Sequence, residues 1–435
     1  MKIKLPDTPY TYVSENSQEC DKDTAFVLTT QNEKYLDNAK ENGAHSIVPA
    51  EEIAPLFGVN HIKIIGITGT NGKTTTAAAI YSILLDLGHK VAMQGTRGFY
   101  MNDEVVEGKT LTTPSVLNTY KHIYQAASSG CEYFIMEVSS HAIAQKRIEG
   151  IPFALKILTN ITQDHLDYHN GLEEYIAVKN SFFADESLKL INKDETRAEF
   201  NFKNANSYGI ENPATYRIIA YTMNEGITAV MQNFQDIETF TTELYGFFNL
   251  YNMTAAIAAV HLLTDHTIPE IAEVTEQFAG VSGRMEKVSE DPLVIVDFAH
   301  TPDGMQQILN SLKEKELRVV FGAGGDRDKS KRPIMGRVAS SFAKKVYITS
   351  DNPRNEDPET IIEEIAAGIQ EKHKIYINAN RKDTIAQALD DLEKDEALLI
   401  LGKGDETYQI IYDKKFPFDD REIVRELLAK KLQTT

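Results

Sequence analysis

The sequence predicts an α/β protein of three domains, divided at 1–58, 59–283 and 284–435. From residue 61 onward, apolar strand-length runs alternate with helical patterns, the order that builds parallel sheets with helices on both faces. Runs such as "YFIMEVSS" and "ALKILTNI" are apolar at successive positions, as strands buried on both faces are. The stretch "AGVSGRMEKVSEDP" (279–292), rich in Gly, Ser and charge, separates this series from a second one. The length agrees with two or three domains at roughly 150 residues each.

In the first segment "TAFVLTT" (24–30) reads as a strand, "NEKYLDNAKENG" (32–43) as a helix ending at Gly43, and "HSIVPA" as a strand. This unit is too small to bury much alone. The central series opens with the strand "HIKIIGI" and the helix "KTTTAAAIYSILLDLG", stopped by Gly88. "KVAMQG", "YFIMEVSS" and "ALKILTNI" are further strands. Residues 214–245 mix Thr, Tyr and Ile with polar residues, as an antiparallel edge would. "NLYNMTAAIAAVHLL" (249–263) is a helix. The last series has strands at "LVIVDFA", "LRVVFGAGG", "KVYITSDN", "KIYINA" and "ALLILGKG", with helices between them. This pattern is Rossmann-like. In such sheets ligands bind beyond the carboxyl ends of the strands.

Composition narrows the function. Hydrophobic content of 42% and charged content of 25% are those of an ordinary globular chain. A net charge of −19 argues against broad nucleic-acid binding and against anionic membrane surfaces. Polyanions would have to be held by local cradles. Cys20 and Cys131 make neither a disulfide framework nor a zinc cluster, which suits a reducing compartment. "MKIKLPDTPY" has no apolar core and is not a signal peptide. No run approaches ~18 apolar residues, so no membrane span is expected and the cytoplasm is the expected location.

Polar clusters follow the strands. "GITGTNGKTTT" (66–76) places a Gly-rich turn between strand and helix, one register away from G-x-x-x-x-G-K-[ST]. Backbone N–H groups there point at an anion, Lys73 reaches outer phosphates and the Thr74 hydroxyl suits Mg²⁺. The competing reading is a β–α turn with no ligand. Glu137 closes a buried strand, as a metal ligand or as a carboxylate paired with Lys146 or Arg147. In "TNITQDHLDYHN" (159–170), Asp164, His165, Asp167 and His169 suit a hard metal, or a polar turn with capping aspartates. Leu172, Tyr175, Ile176, Phe182 and Phe183 fall on one helical face with Lys179 in its middle. Such a lysine snorkels, or is desolvated and chemically modified. Arg284 stands at the domain boundary. "DFAHTPDG", "GAGGDRDKSKRP", "SDNPRNEDP" and "GKGDETYQ" each follow a strand of the last sheet, which makes a facing substrate site.

Together these residues resemble the Mur ligases, ATP-dependent amide-forming enzymes of bacterial cell-wall precursor synthesis. The resemblance runs from about residue 60 to about 410, through "TGTNGKT", "LTTP", "GFFNLYN", "DFAHTPD", "GGDRDKSKRP" and "DNPR". It implies a P-loop ATPase-like central domain and an N-terminal domain on the uridine side of the substrate. It also implies addition of meso-2,6-diaminopimelate to the D-Glu of UDP-N-acetylmuramoyl-L-alanyl-D-glutamate, through an acyl phosphate. By position, Gly69, Thr70, Asn71, Gly72, Lys73, Thr74 and Thr75 would hold the ATP phosphates. Thr74, Glu137, His165 and a carbamylated Lys179 would serve Mg²⁺. Asn249 and Asn252 would lie near adenine, Asp297 near ribose and Arg284 near the phosphates. Lys73, Glu137, His165, Lys179 and Arg284 are then the catalytic set. Thr112, Thr113, Ser139, Gln145 and Arg147 would take the muramoyl dipeptide. Arg327, Asp351, Asn352, Pro353, Arg354, Gly402 and Glu406 would take diaminopimelate, with "DNPR" marking its users. A monomer working on small molecules is expected.

The first domain is shorter than is usual in the family, and "ENSQ" (15–18) matches its uridine turn only loosely. Asp405 stands where the family often has His. Rival readings are a Mur-type ligase adding lysine, a folylpolyglutamate-type ligase, and a regulatory nucleotide-binding protein without ligase activity. The first reading requires Lys73, His165 and Arg354 to share one cleft.

Overall fold

In the computed structural model the described residues are 2–5, 9–59, 61–102, 104–109, 111–166, 168–223, 226–234 and 236–434. Asp167, one of the candidate metal ligands, lies outside them. Three main sheets and one hairpin organise the chain. The first has four strands, Lys2–Lys4, Tyr12–Ser14, Thr24–Leu28 and Ser46–Pro49, antiparallel in its first pair and parallel after it. The expected helix at 32–43 is shorter: a 3₁₀ turn at Glu33–Tyr35 leads into a helix at Leu36–Glu41. Asn32 does not cap it, because its side chain is spent on Thr29 N–H and on the Val27 and Glu15 carbonyls.

The second sheet has eleven strands. Its centre is parallel: Lys63–Thr68 lies between Tyr133–Glu137 and Phe153–Leu158, with Val91–Gly95 and Lys189–Asn192 outside them. These strands read as unbroken apolar runs because helices cover them. The helices Lys73–Asp86 and Phe247–Leu263 share one core with Ile65, Ile67, Ile135 and Ile157. The expected antiparallel edge is Tyr216–Thr222, Ile227–Asn233 and Asp236–Thr242. A second one, Gly98–Met101 with Glu104–Glu107, closes the opposite side.

Register decides what meets at the ligand edge. Ile67 is level with Glu137 and with Ile157, and Thr68 with Leu158. The turn after Thr68, the carboxylate of Glu137 and the loop after Leu158 therefore emerge side by side. The third sheet repeats the plan. Leu293–Asp297, Glu396–Leu401, Glu316–Phe321, Ala343–Ile348 and Ile375–Ile377 run parallel, with Glu286–Ser289 antiparallel at one edge. Asp297 is level with Leu401 and Phe321 with Ile348, so the four candidate loops of this sheet are also neighbours. The hairpin Tyr408–Ile411 and Lys414–Pro417 follows the last of them.

Beneath those loops Arg381 and Asp420 form an ion pair with both side chains fully buried. Arg381 also donates to the carbonyls of Ser350 and Leu401, the residues just before Asp351 and Gly402. Asp420 opens the final helix, Asp420–Thr434. Among the described residues no helix is long and apolar enough to cross a membrane.

Candidate active site

The phosphate-type turn is held open by its surroundings. Gly69 has φ 152°, and a Cβ there would sit 1.8 Å from Thr159 Oγ1. That hydroxyl is fixed, donating to the Asn71 carbonyl at 2.6 Å. Asn71 N–H donates to Asn160 Oδ1 at 2.9 Å. The loop is thus pinned to its neighbour while the helix beginning at Lys73 aims its N-terminus at the cavity. Lys73 Nζ donates to the Gly69 and Thr70 carbonyls at 2.6 and 2.9 Å. Burial pushes its pKa down, opposed by the charges of Glu137 and Asp164.

Thr74 Oγ1 donates to Glu137 Oε2 at 2.9 Å. Glu137 also accepts from Thr96 N–H at 3.0 Å, and neither Lys146 nor Arg147 pairs with it. Two hard oxygen donors beside a phosphate cradle suit Mg²⁺, which keeps water and phosphate oxygens in most of its positions. Among the described residues no three His, Cys, Asp or Glu side chains converge on a cation position. His165 has φ 54° and stands beside Asp164 at 3.4 Å. Burial lowers its pKa to about 4 against the raising effect of Asp164.

Lys179 lies in the last turn of the helix Leu172–Ser181, so Phe182 and Phe183 fall just past the helix that was expected to carry them. It is 1% exposed, its Nζ 3.5 Å from Thr68 Oγ1 and 4.9 Å from the Tyr175 ring centre. Burial, reinforced by the charge of Lys73, pushes its pKa well below that of an ordinary lysine. A lowered pKa favours the neutral amine, the form that takes up CO₂.

One cavity of about 580 Å³, within the range of ligand sites, joins the two sheets. Its wall includes Thr70, Asn71, Gly72, Lys73, Thr74, Thr75, Thr112, Glu137, His165, Asn252, Arg284 and Asp297 from the expected nucleotide and central side. From the last sheet come Arg327, Asp351, Asn352, Arg354, Gly402 and Glu406. Lys73, His165 and Arg354 thus face one space. Asn249 does not reach the wall; it is buried and accepts from Asn252 Nδ2 at 2.9 Å. Pro353 is also off it, its carbonyl packed against Gly325. Asp297 holds Met285 N–H at 2.7 Å and Ala299 N–H at 2.6 Å, while burial raises its pKa. Arg284 lies over the Phe298 ring at 4.3 Å.

Thr113, Ser139, Gln145 and Arg147 form a connected group beside the cavity. Arg147 donates to the Thr113 carbonyl at 2.9 Å and to Gln145 Oε1 at 2.5 Å, and Ser139 N–H donates to Thr113 Oγ1 at 3.0 Å. Thr112 ties this group to the cradle through Thr96, at 3.0 Å. Sequence reasoning passed over Thr96, His300 and Lys331, which also line the cavity, and over Lys403 behind it. Lys403, fully buried, bonds Glu406 at 3.0 Å and Asn352 at 3.3 Å. Its signal was its place in "GKGDE", straight after a strand.

A pinned phosphate-type turn facing charged loops across one shared cavity is the arrangement of a nucleotide-using enzyme. The Mur ligase middle domain matches residues 67–260, and the Mur ligase glutamate ligase domain matches residues 283–404. The UDP-N-acetylmuramoyl-L-alanyl-D-glutamate–2,6-diaminopimelate ligase of Wolinella succinogenes is 53% identical over 430 residues, 99% of both chains. The enzyme of the same name from Helicobacter pylori is 48% identical over 441 residues, 98% of both. The chain belongs to the Mur ligase family. A solved diaminopimelate ligase of that name superposes with TM-score 0.70 at 28% identity, covering 99% of this chain and 100% of its own. A folylpolyglutamate synthase from Mycobacterium tuberculosis shares the fold alone, with TM-score 0.65 at 15% identity over 80% of this chain and 90% of its own.

Proposed function

We infer that the chain uses ATP to join meso-2,6-diaminopimelate to the D-Glu of UDP-N-acetylmuramoyl-L-alanyl-D-glutamate, in the cytoplasm and as a monomer. The observation that carries this reading is the placement of Arg354 on the same cavity as Lys73 and His165. A cradle for a triphosphate and a guanidinium for a distant carboxylate then bracket one reaction centre. Relatives that carry this enzyme's name at 48–53% identity support it. Residues 1–58 are assigned to the uridine end, 59–283 to ATP and the dipeptide, and 284–435 to the amino acid.

The chain's residues position and neutralise. The loop from Gly69 to Thr75 holds phosphate oxygens through the backbone N–H groups at the start of its helix, and Lys73 exchanges its loop carbonyls for them. Thr74 and Glu137 would hold Mg²⁺, with His165 and a carbamylated Lys179 serving it beyond them. When bound, that ion screens the crowded phosphate and carboxylate oxygens. Thr112, Thr113, Ser139, Gln145 and Arg147 orient the dipeptide so that its γ-carboxylate meets the terminal phosphate. Arg284 stabilises charge on the transferred group. Asp351, Asn352, Arg327, Arg354 and Glu406 orient the incoming amine. The γ-carboxylate takes the terminal phosphoryl group and releases ADP; the amine then attacks the acyl carbonyl, loses a proton and expels inorganic phosphate, in a site closed to water.

The test is ADP release with the UDP-muramoyl dipeptide, offering meso-diaminopimelate, L-lysine and no amine in parallel. Release dependent on dipeptide and diaminopimelate together is expected. Equal use of lysine would sink the assignment of the amino acid, and release without the dipeptide would sink the assignment of the acceptor.

A further inference from the structure

We propose that Asp303 is a positioning residue that registers the C-terminal sheet on the phosphate loop, so that the amine subsite arrives only over a correctly formed cradle. Asp303 is the second residue of the helix Pro302–Ser311, whose first turn is fixed by Thr301 accepting Gly304 N–H at 3.1 Å. Its carboxylate, on the cavity wall, reaches out of that unit to the central one. Oδ2 accepts from Asn71 Nδ2 at 3.0 Å and from Thr162 Oγ1 at 3.2 Å. One donor belongs to the phosphate loop and the other to the loop that leads to His165.

Those two loops are already joined to each other. Thr162 N–H donates to Thr70 Oγ1 at 2.8 Å, and Asn160 Nδ2 to the Asn71 carbonyl at 3.1 Å. Asp303 therefore docks on a stiff corner whose shape exists only when the cradle is formed. A second bridge between the units, Lys109 to Asp405 at 3.1 Å, uses a lysine 36% exposed and touches no cradle residue. A carboxylate in the first turn of a helix is favoured by the helix dipole. Meeting the loop through the Asn71 side chain, it leaves the N–H groups at the start of the helix Lys73–Asp86 to the phosphates. Closure of this kind keeps water from an activated acyl group.

The inference rests on the ligase reading, and its test separates the two. In the full-length enzyme, ADP and amide product are measured in the same reaction for wild type, Asp303→Ala, Asp303→Asn and Asn71→Ala. For Asp303→Ala we expect amide formation to fall on the order of 10–100-fold, the loss expected for charge-assisted hydrogen bonds. We also expect ADP to exceed amide by about twofold or more, as activated dipeptide is lost to water. Asp303→Asn, which keeps an acceptor oxygen at the same reach, should stay near one ADP per amide. Asn71→Ala should reproduce the uncoupling from the other side. A merely structural role would lower both products together. Small-angle scattering with a non-hydrolysable ATP analogue supplies a readout free of amide chemistry: wild type compact, Asp303→Ala expanded. A ratio of one with an unchanged scattering profile for Asp303→Ala overturns the proposal, and so does an Asn variant as uncoupled as the Ala variant. If wild type makes no amide from diaminopimelate, the ligase reading fails, and the scattering arm still judges Asp303.

Discussion

Replacing Arg354 by Ala isolates the recognition of the second carboxylate of diaminopimelate. Arg354 sits at φ 50°, clamped by its N–H to the Ile410 carbonyl at 3.1 Å and by Tyr412 N–H to its own carbonyl at 2.7 Å. Those clamps are backbone bonds and survive the substitution. Both residues carry a Cβ, so the left-handed strain is the same before and after. What is lost is the guanidinium fork. Its Nη1 is held by the Gly325 carbonyl at 2.7 Å, leaving Nε and Nη2 for a ligand. Burial and the neighbouring charge of Arg327 push the guanidinium pKa down, so an arriving carboxylate relieves an existing cost. One or two charge-assisted hydrogen bonds in a half-buried pocket amount to about 2–4 kcal/mol. At ~1.4 kcal/mol per decade this is a fall of about 30- to 1,000-fold in kcat/KM for meso-diaminopimelate. The assay is ADP release with diaminopimelate and L-lysine titrated separately. KM for ATP should stay within about twofold, because the cradle belongs to the other sheet. A diaminopimelate kcat/KM within about threefold of wild type would refute the reasoning.

Three other outcomes are expected. Lys179, buried and with its pKa driven well down, should take up ¹³C-bicarbonate as a carbamate visible by NMR, and Lys179→Met should lose both the signal and most activity; a fully active Met variant would exclude the role. The folded-state pKa of His165 is about 4 against 6.5 for the free side chain, so its neutral form adds stability above 6.5 that is lost as pH falls towards 4. Relative to wild type, His165→Gln should then gain in Tm between pH 7.5 and pH 5, modestly because the ring is 42% exposed. A Tm gap that does not move with pH would contradict this. Gly69→Ala forces a Cβ onto the fixed Thr159 hydroxyl, 1.8 Å away. ADP binding by calorimetry should weaken by about tenfold or more, since the cradle must distort; unchanged binding would show that the loop is not the phosphate site.

What could be read in the sequence was what local chemistry dictates. The turn at 66–76 announced itself because only Gly, Lys and Thr in that order suit a strand feeding a helix over an anion. Lys179 stood out because a charge interrupts an apolar helical face. The parallel sheets followed from runs apolar on both faces. Features set by tertiary meeting were invisible. Thr96 is one hydroxyl in a turn until the sheet brings Glu137 beside it. Asp303 looks like an ordinary first-turn carboxylate until the cavity closes on Asn71. The strand Lys2–Lys4 and the hairpin at Tyr408–Pro417 have weak patterns of their own and exist by pairing. The helix at 32–43 was overread because the side chain of Asn32 serves the strand before it.

The buried Arg381–Asp420 pair makes the far end of the chain matter to chemistry it never touches. A protease that clipped the final helix ahead of Asp420 would strand a bare cation under Ser350 and Leu401, and solvent would flood in to solvate it. Such a nicked molecule should still hold nucleotide while having lost its grip on the amine.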